Sequence, residues 1–319
     1  MERVIILGAK GRFGRAATEA FLKAGWEVTA FARGWKVAPL PGVRQVTGDV
    51  RDAEALIRHC QGQQVIVNAI NPPYEKWASE LPRITPAVIA AAKDSGATVM
   101  LPGNVYNYGA GMPSVLKEGT PWQPTTRKGR LRVEMECAYR DAGVRTIVLR
   151  GGDFIEAAKT GNWFDTYIAT HAHKGKTMYP GPLNRVHAWA YLPDMARAMV
   201  ALAERRDDFG PFEEFGFEGF NLTGAELVAA IEAATGKPQK RKHMPWLAIR
   251  LMGLFSAPMR EVLEMRYLWK VPHAMDGEKF ASVVPDFAAT PVVEALRIAL
   301  AQQNQTKAAE MLSFSEIRQ

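Results

Sequence analysis

Gly8-Ala9-Lys10-Gly11-Arg12-Phe13-Gly14 follows directly on the apolar run Val4-Ile5-Ile6-Leu7 and leads straight into an amphipathic stretch ending near Lys23. The apolar run reads as a buried strand, and the stretch after the glycines has helical spacing. Each glycine has its own use at such a junction. The first permits a tight turn, the second lets main chain approach a pyrophosphate, and the third allows helix and strand to pack closely. The helix N-terminus adds positive potential at the same place. The segment therefore predicts a strand–turn–helix that holds a dinucleotide, with Gly8, Lys10, Gly11, Arg12, Phe13 and Gly14 around it.

Outward from this loop, short apolar runs alternate with helical patterns to about residue 150. Strands are expected at Val4–Leu7, Glu27–Phe31, Val43–Val46, Val65–Ala69, Thr98–Leu101 and Thr146–Leu149, with helices such as Pro86–Ser95 and Leu131–Ala142 between them. That alternation predicts an α/β chain: a doubly wound parallel sheet of the Rossmann type, covered on both faces. After Arg150 glycines and prolines break the pattern, so loops are expected across the open end of the sheet. The helical run Asp194–Ala203 resumes it. From Asp207 the chain reads as a loop rich in glycine and phenylalanine, then helices at Gly224–Ala234, Trp246–Phe255 and Val292–Ala301. The expected organisation is a nucleotide-binding domain over residues 1–150 plus about 186–205. A smaller, mostly helical C-terminal substrate lobe takes 151–185 and 206–301, and 302–319 form a polar tail.

Composition narrows the class. The 319 residues are 47% hydrophobic, enough for a large core. No run approaches the roughly 18 apolar residues of a membrane span, and the amino terminus enters a strand instead of a basic, apolar leader. Cys60 and Cys137 are the only cysteines, which fits a reducing compartment and gives neither a disulfide framework nor a metal cluster. A cytoplasmic protein without a membrane partner is the expectation. The net charge of +7 comes from basic residues interleaved with acids, so no nucleic-acid partner is expected; the surface suits an anionic cofactor or substrate.

The end of the second strand bears on the choice of dinucleotide. An acid there would bond the adenosine ribose of NAD, but the segment reads Phe31-Ala32-Arg33-Gly34. Arg33, with Lys10, Arg12 and Lys36 nearby, could pair with a 2′-phosphate, so NADP is expected in preference to NAD.

Together, the glycine loop, Gly48-Asp49-Val50 after the third strand and Asn68-Ala69 after the fourth resemble the short-chain dehydrogenase/reductase superfamily. The nearest likeness is to its extended and atypical branches, which include the NAD-dependent epimerase/dehydratase proteins. Val105-Tyr106 with Tyr108-Gly109, Leu149-Arg150-Gly151-Gly152-Asp153-Phe154 and Tyr191-Leu192-Pro193-Asp194 extend the resemblance to about residue 300. It implies adenine contacts from Asp49 and Val50, and a cofactor flanked by Ala69, Ile70 and Asn71. It also implies a homodimer, since such proteins often pair through two helices.

The catalytic signature departs from the family. A tyrosine and, four residues on, a lysine are expected on the helix before the sixth strand; Lys128 and Arg132 stand there. Arginine essentially never deprotonates, although Arg132 could bind the nicotinamide ribose. The usual serine or threonine after the fifth strand is also missing, with Asn104 the hydrogen-bonding substitute. Tyr106 and Tyr108 are candidate replacement acids, which Lys128 could activate. Tyr74, Asp153, Asn162, Trp163, His187, Trp189 and Tyr191 should gather at the open end of the sheet, where substrates collect. Tyr74, Asp153, Trp163 and His187 are the expected substrate contacts. No cysteine or acidic residue stands at metal-ligand spacing from His171 and His173, so no metal is expected.

No nucleophile elbow and no phosphate-binding loop ending in lysine and serine or threonine occurs. Two functions stay open. One is an NADP-dependent oxidoreductase or epimerase/dehydratase-like enzyme acting on a small carbonyl or nucleotide-sugar-like molecule with non-standard catalytic residues. The other is a catalytically inactive NADP(H)-binding sensor.

Overall fold

The computed structural model describes residues 1–36, 38, 40–156 and 161–301. The expected tail, 302–319, lies outside them. Seven strands form the central sheet: β1 (Arg3–Leu7), β2 (Glu27–Ala32), β3 (Val43–Thr47), β4 (Val65–Asn68), β5 (Thr98–Gly103), β6 (Thr146–Arg150) and β7 (Phe212–Gly216). Their order across the sheet is β7-β6-β5-β4-β1-β2-β3, and every pairing is parallel. The chain winds outward from β1 to β3, then crosses back to β4 and winds the other way. This reversal opens a crevice between β1 and β4 at the carboxyl ends of the strands, where Leu7 lies beside both Phe31 and Asn68.

The inner strands β1, β4, β5 and β6 read as nearly unbroken apolar runs because both faces are covered, whereas the edge strands β3 and β7 carry polar residues. Ile5, Leu7, Ile66, Val99 and Val148 pack towards α2 (Ala53–Cys60), α3 (Trp77–Ser95) and α4 (Arg127–Asp141). Val4, Ile6, Val67, Met100 and Ile147 turn the other way, onto α1 (Arg12–Lys23) and α5 (Leu192–Glu204). The period of two along each strand sorts one continuous run into two cores.

Within the central sheet and the helices that cover it, two elements differ from the sequence expectation by more than four residues. α3 starts at Trp77, nine residues before the expected Pro86, and carries Pro82 and Pro86 inside it. An internal proline costs about 3 kcal/mol. Burial of Trp77, Leu81, Ile84 and Val88 against the sheet, each contributing about 1.5–3 kcal/mol, outweighs it. The segment Phe212–Gly216, read as loop, is the edge strand β7.

Beyond the sheet, Phe220–Thr223, Val186–Tyr191 and Asp153–Ile155 form a three-stranded sheet, and Lys240–His243 pairs with Lys176–Tyr179. α6 (Gly224–Thr235), α7 (Trp246–Met252), α8 (Ala257–Glu264) and helical residues 292–301 complete this part of the chain. Its own core centres on Trp189, Phe164, Leu227 and Trp269. α6 opens with a capping box in which Thr223 and Glu226 satisfy each other's backbone donors.

Candidate functional site

The glycine loop turns at Gly8, whose φ of +78° lies in the left-handed region, and a Cβ there would meet the main chain of Ala69 and Ile70 at 3.1 Å. A Cβ on Gly14 would come within 2.2 Å of the Gly8 carbonyl, so the start of α1 can sit this close to the turn only as glycine. Gly11 is the N-cap of α1, no side chain caps that end, and the first turn holds no acid. The leading N–H groups of a helix have no acceptor of their own. Here no side chain of the described residues caps them. That fits the pyrophosphate of a dinucleotide.

Around this cradle the expected cofactor residues fall on neighbouring loops. Lys10 donates its ammonium to the Gly34 carbonyl at 2.9 Å, tying the glycine loop to the end of β2. Arg33 and Lys36 are exposed there. Phe13 is buried beneath α1. Arg12 lies 3.6 Å from the Glu156 carboxylate. After β3, Asp49 accepts from Arg51 Nε at 2.9 Å, and that hydrogen bond outweighs burial and, with the Arg51 backbone N–H and charge, brings its carboxyl down to about 2. Val50 is buried beside it. After β4 the Ala69 N–H donates to Leu7 O, Ile70 is half-buried and Asn71 is exposed.

The chemistry-bearing residues meet on the other bank of the crevice. Tyr74 and Tyr106, 32 residues apart, share a hydroxyl–hydroxyl hydrogen bond of 3.0 Å. Asn104 Oδ1 accepts from the Tyr106 N–H at 3.0 Å and fixes the turn that presents the ring. Gly129 lets α4 touch this turn, since a Cβ there would lie 2.4 Å from Tyr106 O. Burial pushes the Tyr106 hydroxyl well above the usual tyrosine value, with Tyr74 and Asp153 adding to the shift. Burial likewise raises Tyr74, against its bond to Tyr106 and the charges of Arg12 and Arg132.

Lys128 projects its ammonium to 5.0 Å from the centre of the Tyr74 ring. The same nitrogen bonds Glu264 Oε2 at 2.6 Å and pairs with the carboxylate of Glu261. Burial raises the Glu264 carboxyl, but the Lys128 hydrogen bonds outweigh it and hold the group below its ordinary value. Arg132 donates to the Pro102 carbonyl at 2.8 Å, and its Nε is buried without a partner. Tyr108 faces elsewhere: its hydroxyl donates to Glu214 Oε1 at 2.8 Å.

Behind these residues lies a largely buried ionic network. Arg150 donates to Glu136 Oε2 at 2.7 Å, to Glu214 Oε1 at 2.9 Å and to the Asn104 carbonyl at 2.7 Å. Asn107 adds a bond to Glu136 at 2.9 Å. Neither Glu136 nor Arg150 has any exposed surface. The network ties β5, β6, β7 and α4 together directly under the Tyr106 turn.

Asp153 and His187 come together at 2.9 Å, and the His187 ring stacks flat on Trp269 at 4.3 Å. Trp163 packs on Trp269 at 5.1 Å, and His273 abuts His187 at 4.5 Å. His187 Nδ1, Trp189 Nε1, Trp269 Nε1 and the Tyr267 hydroxyl are buried with no hydrogen-bond partner among the described residues. A cavity of about 330 Å³ opens nearby, lined by Tyr179, Trp246, Arg241, His243, Arg266 and Lys270. Trp246 reaches the Trp163 ring at 6.4 Å. Thus Tyr74, Tyr106, Arg132 and Asp153 share one neighbourhood, while Trp163 and His187 share the adjoining aromatic one. Sequence reading did not single out Tyr267, Trp269, His273, Glu136, Glu214, Glu261 or Glu264. The aromatic run ending at Trp269 was a visible signal; the acids pair with residues far off in sequence and gave none.

Comparison with known proteins agrees with this geometry. Residues 8–163 match the NAD(P)H-binding family model. Among curated proteins none matches the chain. The solved structure of UDP-glucose 4-epimerase from Stenotrophomonas maltophila, holding NAD and formylated UDP-arabinopyranose, is 15% identical. It covers 97% of this chain and 100% of its own, with a TM-score of 0.74. The UDP-glucose 4-epimerase of Bifidobacterium longum, with NAD+ and UDP, is 16% identical over 95% and 98% of the two chains, TM-score 0.73. dTDP-glucose 4,6-dehydratase of Bacillus anthracis, with NAD, is 15% identical over 96% and 97%, TM-score 0.72. Among the described residues no helix is long and apolar enough to cross a membrane. Residues 8–163 are thus similar to an NAD(P)H-binding family, and the chain has the same fold as these epimerases and the dehydratase.

Proposed function

We propose that the protein is an NAD(P)-dependent, epimerase/dehydratase-like or reductase enzyme of the cytoplasm, with the Tyr74–Tyr106 pair as its proton carrier. The observation that carries this reading is that bond: two buried hydroxyls 3.0 Å apart beside a glycine cradle at the carboxyl edge of the sheet. A nicotinamide cofactor, when bound, supplies or accepts hydride, and this chain supplies the proton. With its hydroxyl raised well above the usual value, Tyr106 stays neutral at physiological pH. As a neutral, weak acid it can pass a proton only to a strongly basic oxygen, such as the alkoxide that forms when hydride adds to a carbonyl, and taking a proton in the reverse direction requires a neighbouring charge that stabilises its phenolate. Tyr74 then donates its own hydrogen bond to the Tyr106 oxygen, while the Lys128 ammonium over its ring favours negative charge on that side. Arg132 orients the ribose side of the site from its bond to Pro102 O.

The cationic cavity of Arg241, Arg266 and Lys270 favours a substrate with an anionic portion. A nucleotide sugar has such a portion, and the epimerases of the same fold hold UDP or a UDP-sugar. The unpartnered donors around Trp269 would meet the hydroxyl oxygens of a sugar. Arg33, exposed where an acid would select NAD, supports NADP. The clamp of Glu261 and Glu264 on Lys128 favours a second reading, a cofactor-binding sensor whose proton machinery is locked.

Deuterium transfer separates the two. Protein loaded with NADPH deuterated at the transferable position is incubated with ketones, aldehydes and enones, and protein loaded with NADP+ or NAD+ is incubated with nucleotide sugars, with products read by mass spectrometry and, for sugars, by chromatographic separation of epimers. Deuterated or epimerised product, lost by about 10²–10⁴-fold in Tyr106→Phe, is the expected result. Tight NADPH binding without any product, or full turnover in Tyr106→Phe, overturns the catalytic reading.

A further inference from the structure

The stretch 233–260 carries six basic residues, Lys237, Lys240, Arg241, Lys242, Arg250 and Arg260, and not one acid. Elsewhere acids and bases are interleaved, so much of the net +7 is concentrated here. Among the described residues, the same stretch holds most of the large apolar side chains left in water. Leu247 is 73% exposed, Leu254 69% and Phe255 92%, with Leu251 and Met252 about half exposed. The other strongly exposed apolar side chains are scattered singly, at Met1, Leu40, Val115 and Ile298.

Local structure explains the arrangement. Lys240–His243 is an edge strand paired on one side with Lys176–Tyr179, and all four of its residues are exposed. Met244-Pro245 turns the chain into α7, which anchors itself through Ile249 and through Trp246, whose indole donates to Pro180 O at 2.8 Å. Leu247, Leu251, Leu254 and Phe255 are the residues left over on the outer side. A cluster of exposed aliphatic and aromatic side chains rimmed by polar residues marks an interaction surface.

We propose that this surface, the basic strand Lys240–His243 with the apolar ridge of Leu247, Leu251, Leu254 and Phe255, docks the protein on an anionic lipid bilayer. Charge selects the occupant. A second copy of the chain would bring two basic strands face to face, and repulsion would oppose the apolar contact. A nucleic acid would use the cations but leave the leucines and Phe255 in water. An anionic bilayer meets both: leucine and phenylalanine enter the acyl boundary while lysine and arginine stay at the headgroups. Insertion needs no spanning helix, so the expectation of no membrane partner, which rested on span length, does not reach it. Arg241, His243 and Trp246 also line the cationic cavity, so docking turns the mouth of that cavity towards the headgroups.

The test is sedimentation of the full-length protein with vesicles of phosphatidylcholine alone and of an equimolar phosphatidylcholine–phosphatidylglycerol mixture, beside size-exclusion chromatography without lipid. The protein is expected to sediment with the anionic vesicles only. Each cation near an anionic surface contributes roughly a fivefold gain. Lys240→Gln/Arg241→Gln/Lys242→Gln is therefore expected to lower partitioning about a hundredfold. Leu254→Ser/Phe255→Ser is expected to lower it by at least about tenfold, because two apolar side chains no longer leave water. The proposal is overturned by absence of anionic-vesicle binding, or by binding that neither variant weakens. It is equally overturned by a soluble dimer that Leu254→Ser/Phe255→Ser disperses, or by tight binding to RNA with none to vesicles. None of these outcomes depends on turnover, so they stand apart from the test of the enzyme reading.

Discussion

His273 makes stability depend on pH in a window that can be worked out. Its ring has no exposed surface, Nδ1 faces the Val271 carbonyl at 3.0 Å and Nε2 has no partner. Burial, with the neighbouring His187, lowers its pKa from 6.5 to about 3. Between those values the unfolded chain binds a proton that the folded chain refuses, so stability is fully present above about 6.5 and falls as the pH drops. From pH 7 to pH 5 this one group removes about 2 kcal/mol. The loss continues at about 1.4 kcal/mol per pH unit down to about pH 3. Urea unfolding followed by tryptophan fluorescence at pH 7 and pH 5 measures the change. His273→Gln, which cannot titrate, should lose the dependence while costing some stability at both pH values. If wild type and His273→Gln show the same difference between pH 7 and pH 5, the buried neutral imidazole is not its source and the reasoning fails.

Glu136→Ala strands the fully buried Arg150 guanidinium and should cost about 3–5 kcal/mol in urea unfolding; an effect below 1 kcal/mol would mean that water reaches the pair. Arg33→Ala should reduce the NADPH-to-NADH affinity ratio by about tenfold, read by isothermal calorimetry, because a charge-assisted bond to a 2′-phosphate contributes about 1.5–3 kcal/mol. An unchanged ratio would leave Arg33 as surface. Gly11→Ala places a methyl 3.0 Å from the Gly8 carbonyl, in the cradle itself. Dinucleotide affinity should drop by about a hundredfold with the melting temperature nearly unchanged, and retention of affinity would place the pyrophosphate elsewhere.

The first six strands could be read to within one or two residues: the inner ones are buried on both faces and show as apolar runs, and β3, at the edge, is marked by Val43 and Val46 alone. β7 escaped for the opposite reason. Glu213 and Glu214 make Phe212–Gly216 look like a solvated loop, yet Glu214 is drawn inside by Arg150, which lies 64 residues earlier. The start of α3 was hidden by Pro82 and Pro86, local helix breakers that tertiary burial overrides. Within the site, the glycine loop was legible because its geometry is local. Tyr74 and Tyr106 could be named singly, but their bond depends on how β4 and β5 deliver two separate loops to one place. The partners of Lys128 sit on α8, which sequence reading did not find, because Gly253 and Pro258 blur the boundary with α7.

The late arrival of β7 also shapes how the chain comes off the ribosome. β6 ends at Arg150, and the strand that covers its free edge starts at Phe212. At roughly 5–20 residues per second, the intervening segment takes roughly 3–12 seconds to synthesise. During that interval β6 presents an open, apolar strand edge, and the Arg150 guanidinium has only Glu136 to neutralise it. Nascent chains of about 150–210 residues should therefore be the ones that chaperones hold and proteases cut, and a pause in translation placed there would be costlier to yield than one placed later.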